Sequence, residues 1–424
     1  MLQINFIRDN KEETIQRLTK KHVSNAAEIV DAILVKDNDR RRTQTELDSL
    51  KADANQMARQ IGELMKAGKK AEADDAKNKS VALKESEKKL EDLLRVFENE
   101  LYELTVQLPN LPHADVPAGR TPADNAVVFE HGTIPVLHEG AVPHWDLTSK
   151  YDLIDFELGV KLTGAGFPVY KGKGARLQRA LINYFLDRAT AAGYLEIQPP
   201  ILVNKDSGFG TGQLPDKEGQ MYYVNEDELY LIPTAEVPIT NIYRDVILKK
   251  EDLPVKNCGY TPCFRREAGS YGKDVRGLNR LHQFDKVEIV QIADPAVSYH
   301  SLEEMREFVA GLLKELGLPF RTLLLCGGDM SFASAKTYDM EVYSTAQQKW
   351  LEVSSVSNFE SFQSNRLKLR YREGSEKPQL AHTLNGSALA LPRIVAALLE
   401  NNQTPEGIRL PEVLHKYTGF EWIS

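Results

Sequence analysis

The chain has 424 residues, 42% hydrophobic and 27% charged, the composition of a globular protein with room for roughly two or three domains. No run approaches the roughly 18 apolar residues of a membrane span, MLQINFIRDNKEE turns acidic before a signal-peptide core could form, and a cytoplasmic enzyme is the expectation. Net charge is −8, which does not advertise a nucleic-acid binder, although phosphate contacts depend on local basic patches; Cys258, Cys263 and Cys326 are too few for a disulfide framework or a closed zinc site.

Residues 1 to 25 read as a strand-like start and a short helix after Asp9-Asn10. From Leu47, apolar residues recur three and four apart at Leu50, Ala54, Met57, Ile61 and Leu64. The pattern resumes at Leu83, Leu90, Leu94, Phe97, Leu101, Leu104 and Leu108. This is the seam of a two-stranded coiled coil. Gly68 between the halves predicts an antiparallel hairpin, with helices of roughly 40 residues reaching about 60 Å. Ile29 and Ile33 extend the seam backwards, interrupted by Lys36, Arg40 and Thr43. An arm of this kind has too little core for catalysis, and a spacer or dimerisation device is one reading. The basic cluster Arg40-Arg41-Arg42, the lysines Lys66, Lys69 and Lys70 near the tip, and a seam that closes on itself favour a binding arm.

Pro109, Pro112, Pro117 and Pro122 end the helical pattern. They divide the chain into an arm domain (1–108), a linker (109–125) and a second domain (126–424) of short strands mixed with helices, without repeats. Lys173-Gly174-Ala175 lacks the spacing of a phosphate-binding loop. Leu181 to Val203 predicts a helix, a stop at Gly193, a short strand and then Pro199-Pro200. GFGTGQLPDKEGQ (208–220) predicts a loop, and Thr234-Ala235-Glu236 follows the apolar run LYLIP.

Tyr260 to Gln291 is the most informative stretch: two strand-like runs joined by a loop rich in glycine and basic residues. Arg265 and Glu267 share a parity, as do Phe284 and Glu288, so a hairpin could present a guanidinium, two carboxylates and a ring on one surface. Gly269, Gly272, Gly277, Lys273, Arg276 and Arg280 between them suit phosphates. The alternative is an ordinary amphipathic hairpin with a solvated loop. In WLEVSSVSNFESFQSNR (350–366), Glu352 and Ser355 offer a carboxylate and a hydroxyl suited to a hard cation bridging phosphate oxygens. In NGSALALPR (385–393), Pro392 fits the first turn of a helix, and Arg393 there opposes the helix dipole unless an anion binds. An arginine tethered to a nearby carboxylate is the other reading.

Phe264-Arg265-Arg266-Glu267 and His282-Gln283-Phe284-Asp285-Lys286-Val287-Glu288 resemble the second signature motif of class II aminoacyl-tRNA synthetases. The segment ending at Pro200 resembles the first motif, and residues 385–393 the third. The wording is most similar to seryl-tRNA synthetases of bacterial type, over nearly the whole chain. The resemblance implies an α+β fold, in which an antiparallel sheet flanked by helices follows an N-terminal antiparallel coiled-coil arm, and it implies a homodimer. It implies activation of L-serine with ATP and Mg²⁺ to seryl-adenylate, then transfer to tRNA(Ser), and to tRNA(Sec) where that tRNA exists. By the same resemblance, ATP is held by Arg265, Arg266, Glu267, Leu281, Phe284, Glu352, Val353, Ser354, Ser355 and Arg393, with Mg²⁺ on Glu352 and Ser355. Serine is held by Thr234, Ala235, Glu236, Arg265, Glu288, Asn385 and Ser387, and the arm with Arg40, Arg41 and Arg42 grips the tRNA. Arg265 and Arg393 carry the catalytic charge stabilisation. Synthetases for threonine, proline or glycine carry different appended domains. Carrier-protein ligases on this scaffold lack the arm, and a dead scaffold would not be expected to retain Arg265, Glu267, Glu352 and Arg393.

Overall fold

The computed structural model describes residues 1–267 and 276–424; Gly269, Gly272 and Lys273, singled out above, lie outside them. The chain forms two compact units, Met1–Thr19 with Val23–Pro109, and Lys20–His22 with Asn110–Ser424. Among the described residues no helix is long and apolar enough to cross a membrane.

The first unit contains α1 (Ile4–Asp9), α2 (Lys11–Lys20) up to Thr19, α3 (Ala26–Lys66) and α4 (Lys70–Val106). The strand expected at the start is helix α1. Ile4 and Ile7 are three apart, and Ile7 is fully buried on the resulting stripe. The hairpin turns at Gly68, whose φ of +72° suits a residue without Cβ. Lys36 pairs with Glu100 at 2.7 Å and Lys51 with Glu91 at 2.8 Å, fixing an antiparallel register. The polar break in the seam is an ionic knot. Buried Asp37 accepts Arg8 Nη1 at 2.8 Å and Arg40 Nη2 at 2.8 Å. Burial alone would push its carboxyl up; the two arginines outweigh that and hold it below the usual carboxylate range. Arg40 is thus engaged within the arm, whereas Arg41 and Arg42 are exposed.

The second unit is built on an eight-stranded sheet: β1 (Ala126–His131), β2 (Leu195–Glu196), β3 (Val255–Phe264), β4 (Gln283–Ala293), β5 (Phe320–Leu324), β6 (Lys336–Ser344), β7 (Lys349–Asn358) and β8 (His382–Ala390). Their order is β1-β5-β6-β7-β8-β4-β3-β2. All pairs are antiparallel except the edge pair β2–β3. Helices α5 (His144–Lys150), α6 (Gly172–Ala191), α7 (Ser298–Glu315) and α8 (Leu391–Asn401) contribute to the same core as the sheet. Leu181 and Phe185 of α6, Val309 of α7 and Ile394 of α8 pack there with Val287 and Ile289 of β4. Strand parity then sends Phe284, Lys286 and Glu288 to the opposite face.

The prolines end α4 as expected, but residues 110–125 belong to the second unit rather than forming a free linker. Asn110 Nδ2 donates to Ala333 O at 2.9 Å and to Phe359 O at 2.8 Å. The glycine-rich segment expected as a loop from 208 begins inside the helix Lys205–Thr211 and becomes loop only at Gly212.

Candidate active site

The face of β4 away from the core is the floor of a cavity of about 690 Å³. Thr234, Glu236, Arg265, Glu267, Leu281, Phe284, Glu288, Glu352, Val353, Ser354, Ser355, Asn385, Ser387 and Arg393 all line it. Two expected site residues do not. Ala235 is buried against Ile239 and Val290, and Arg266 lies over the Tyr222 ring at 5.7 Å.

Arg265 and Glu267 do not share a strand face. β3 ends at Phe264, and Glu267 sits at φ +49°, beyond any strand. Both reach the cavity because the chain turns there. The Arg265 guanidinium stands 5.2 Å from the Phe284 ring centroid, and Arg280 pairs with Glu267 at 2.9 Å. These contacts build one end of the cavity from a cation, a ring and an acid, the groups that suit a phosphate, a base and an amine.

Arg393 realises part of each reading offered for it. Pro392 occupies the first turn of α8. The guanidinium donates from Nε to Asn279 O at 3.0 Å and from Nη1 to Glu352 O at 2.7 Å, with the Glu352 carboxylate at 3.8 Å. Two main-chain carbonyls therefore fix its plane at the cavity wall, which presets its donors for an anion.

Glu352 and Ser355 have opposite parity yet face one cavity. The β6–β7 register shifts between Met340 and Glu341: Met340 pairs with Ser354, but Glu341 pairs with Glu352. Val353 is the extra residue of a bulge that resets the alternation. Ser355 Oγ donates to Asp339 Oδ1 at 2.5 Å. Burial, and then the Glu352 charge, push the Asp339 carboxyl well above the usual carboxylate range. This cluster offers only oxygen ligands, which suits a hard cation completing its shell with phosphate and water.

At the other end, β4 and β8 place Glu288 opposite Ser387. Thr234 Oγ1 donates to Glu288 Oε2 at 2.9 Å, and Lys286 pairs with the same carboxylate. Glu236, in the first turn of the helix Glu236–Asn241, accepts Gln363 Nε2 at 2.7 Å. Gln363 is held in turn by Thr383 Oγ1 at 2.7 Å. Burial, then the Glu288 charge, raise the Glu236 carboxyl to about 7. Sequence reasoning missed Lys286, Gln363 and Asp339 as site residues. Lys286 was readable, since it shares the parity of Phe284 and Glu288. Gln363 and Asp339 are brought in from a helix and a neighbouring strand that no local pattern links to the pocket.

Residues 221–402 match the tRNA synthetase class II core domain (G, H, P, S and T), so this unit is a class II aminoacyl-tRNA synthetase core. Residues 1–112 match the seryl-tRNA synthetase N-terminal domain. The serine–tRNA ligase of Salinibacter ruber is 51% identical over 426 residues, covering 100% of this chain and 99% of that protein. The crystal structure of seryl-tRNA synthetase from Pyrococcus horikoshii complexed with ATP is similar at a TM-score of 0.94 and 34% identity, covering 100% of this chain and 99% of that one. That of cytoplasmic serine–tRNA ligase from Naegleria fowleri in complex with AMP reaches 0.89 at 27% identity, with the same coverage of 100% and 99%. The chain belongs to the seryl-tRNA synthetase family.

The raised Glu236 carboxyl has a measurable signature. Free, it would titrate near 4.5; folded, it holds its proton up to about 7. Between these values the folded state binds more protons than the unfolded state, so this group's contribution to stability falls as pH rises through that window. Glu236→Gln removes the dependence. The variant should gain about 2 kcal/mol on the wild type between pH 5 and pH 8, read by urea unfolding at both values. Parallel stabilities would show that Glu236 is ionised throughout.

Proposed function

We propose that the cavity joins L-serine to ATP and passes the seryl group to tRNA(Ser), and to tRNA(Sec) where it is present. The observation that carries this reading is that one cavity is lined both by Arg265, Phe284 and Arg393, groups suited to phosphates and a base, and by Glu236, Glu288 and Ser387, groups suited to an ammonium and a hydroxyl. A serine carboxylate oxygen attacks the α-phosphorus of ATP, the bond to the β-phosphate bridging oxygen breaks, and pyrophosphate leaves. The terminal 3′-hydroxyl of the tRNA then attacks the acyl carbon and releases AMP.

Neither step requires a protein nucleophile, so orientation and charge stabilisation supply the acceleration. Arg265 is assigned to the α-phosphate, Arg393 to the γ-phosphate end, Phe284 to the adenine face and Glu267 to its amino group, with Leu281, Val353 and Ser354 as further walls of the nucleotide site. Mg²⁺ held by Glu352 and Ser355 would neutralise phosphate oxygens. Glu236 receives the serine ammonium, which favours the ionised carboxylate. Serine binding near neutral pH therefore expels the proton that burial retains. Glu288 and Ser387 take the serine hydroxyl, and Asn385 closes that pocket. A homodimer built on α6 and β2 accords with the exposure of Leu195 on the edge strand β2. A tRNA substrate accords with activity in the cytoplasm.

Arg265→Ala should lower serine-dependent ATP–pyrophosphate exchange by about a hundredfold or more, as for loss of a transition-state donor. Lysine should not restore it fully, because a point charge cannot reproduce the guanidinium fork. Near-normal exchange in the alanine variant would remove Arg265 from the reaction.

The arm is assigned to tRNA. Removing residues 35–98 should leave the exchange reaction intact, because the α3–α4 seam closes on itself, while transfer to tRNA collapses. Arg40, Arg41 and Arg42 replaced together should weaken tRNA binding and flatten its salt dependence by about one unit of slope for each phosphate no longer neutralised. A spacer would instead alter oligomeric state with tRNA affinity unchanged. Exchange, tRNA binding and sedimentation on the same truncated protein separate the two.

A further inference from the structure

Behind the Arg393 wall lies a buried polar chain set back from the cavity surface. The side chains of His144, on α5, and Glu400, on α8, are both fully buried. Glu400 Oε1 accepts the His144 backbone N–H at 2.9 Å, His144 Nδ1 at 2.6 Å and Gln347 Nε2 at 2.8 Å. The other ring nitrogen, Nε2, accepts the Leu278 backbone N–H at 2.8 Å. That last bond decides the tautomer: Nε2 must carry the lone pair, so the proton sits on Nδ1 and is donated to Glu400. Gln347 continues the chain, accepting Asn279 Nδ2 at 3.0 Å. Asn279 O then accepts Arg393 Nε at 3.0 Å.

We propose that His144, oriented by Glu400, is a positioning residue for ATP: it fixes the Leu278–Asn279 turn, and through Asn279 it fixes the plane of Arg393. The fit is close enough to restrict the neighbouring residue. Gly277 lies against the imidazole, and a Cβ there would fall 2.3 Å from His144 Nε2, in a backbone with φ +67°. The turn is therefore registered against the ring by a hydrogen bond on one side and by contact on the other. Both Leu278 and Asn279 line the cavity, whereas His144, Gln347 and Glu400 are set back from it. A residue acting at this distance alters where Arg393 points without contributing an atom to the bound nucleotide.

The proposal rests on the assignment of Arg393 to the triphosphate end of ATP, and the experiment separates the two. The readouts are the KM for ATP and the KM for serine in pyrophosphate exchange, with thermal unfolding alongside. His144→Asn retains an amide donor near the Nδ1 position for Glu400 but has no acceptor within reach of the Leu278 N–H. It should raise the ATP KM about tenfold, the cost of one buried hydrogen bond, and leave the serine KM within about twofold. His144→Gln places an acceptor near the Nε2 position and should bring the ATP KM back to within about threefold of wild type. Gln347→Met, which removes the acceptor for Asn279 and one of the donors to Glu400 but leaves the His144–Leu278 bond in place, should raise the ATP KM severalfold. The proposal is overturned if His144→Asn and His144→Gln are equally impaired, if both KM values rise together, or if Gln347→Met binds ATP like wild type. Should a histidine variant fail to fold, the Gln347→Met result decides alone. Arg393→Ala with an unchanged ATP KM would reject the underlying assignment. Arg393→Ala that loses ATP while His144→Asn does not would reject only the positioning role.

Discussion

Strand β4 sits between β3 and β8, and its register is the constraint on which the site depends. Pairing with β3 sets Phe284 opposite Cys263, two residues before Arg265 leaves the strand and turns its guanidinium towards the ring. Pairing with β8 sets Glu288 opposite Ser387. A slip of one residue would exchange Phe284, Lys286 and Glu288 for Val287 and Ile289, burying charge in the core and dissolving both ends of the cavity at once. The apolar parity of β4, packed against α6, α7 and α8, prevents that slip. Core packing and site geometry are here the same fact seen from two faces of one strand.

Burial of so many acids needs compensation, and the cavity supplies it in more than one way. Glu288 is paired with Lys286 and hydrogen-bonded by Thr234. Glu236 forms no ion pair among the described residues and retains its proton instead, with Gln363 as its neutral donor. Asp339 accepts Ser355 Oγ, and burial, then the Glu352 charge, push its carboxyl well above the usual carboxylate range. Isolated carboxylates at low dielectric are unstable unless paired, protonated or ligated. An ammonium at Glu236 would favour the ionised carboxylate that burial disfavours, and a hard cation near Glu352 would offset the charge that raises Asp339.

Much of this is legible in the sequence alone. The two-face alternation of Phe284 and Glu288, the seam on either side of Gly68, and Pro392 at the head of a helix follow from periodicity and backbone chemistry. What is not legible depends on neighbours distant in sequence. Glu352 and Ser355 share a face only because of a bulge opposite β6, which no period-two reading of β7 reveals. Asp37 reads as one more charge on the arm, yet it is the centre of an ionic knot because α1 brings Arg8 to it. Arg265 and Glu267 belong together, but not by parity, because the strand ends before either of them. The turn that brings them to the cavity is made with a positive φ at a glutamate, a conformation that local propensity disfavours.

If the acidic end of the cavity is a serine pocket, Glu288 and Ser387 must bond the substrate hydroxyl. The direct measurement is ATP–pyrophosphate exchange with serine, alanine and threonine in turn. A site built to hydrogen-bond a hydroxyl rejects the analogue lacking it by about 10⁴, so alanine should be activated at that fraction of the serine kcat/KM or below, while threonine is excluded by shape. Alanine activation within about tenfold of serine would contradict the assignment, since it would mean that no buried polar group is left unpaired when the hydroxyl is removed.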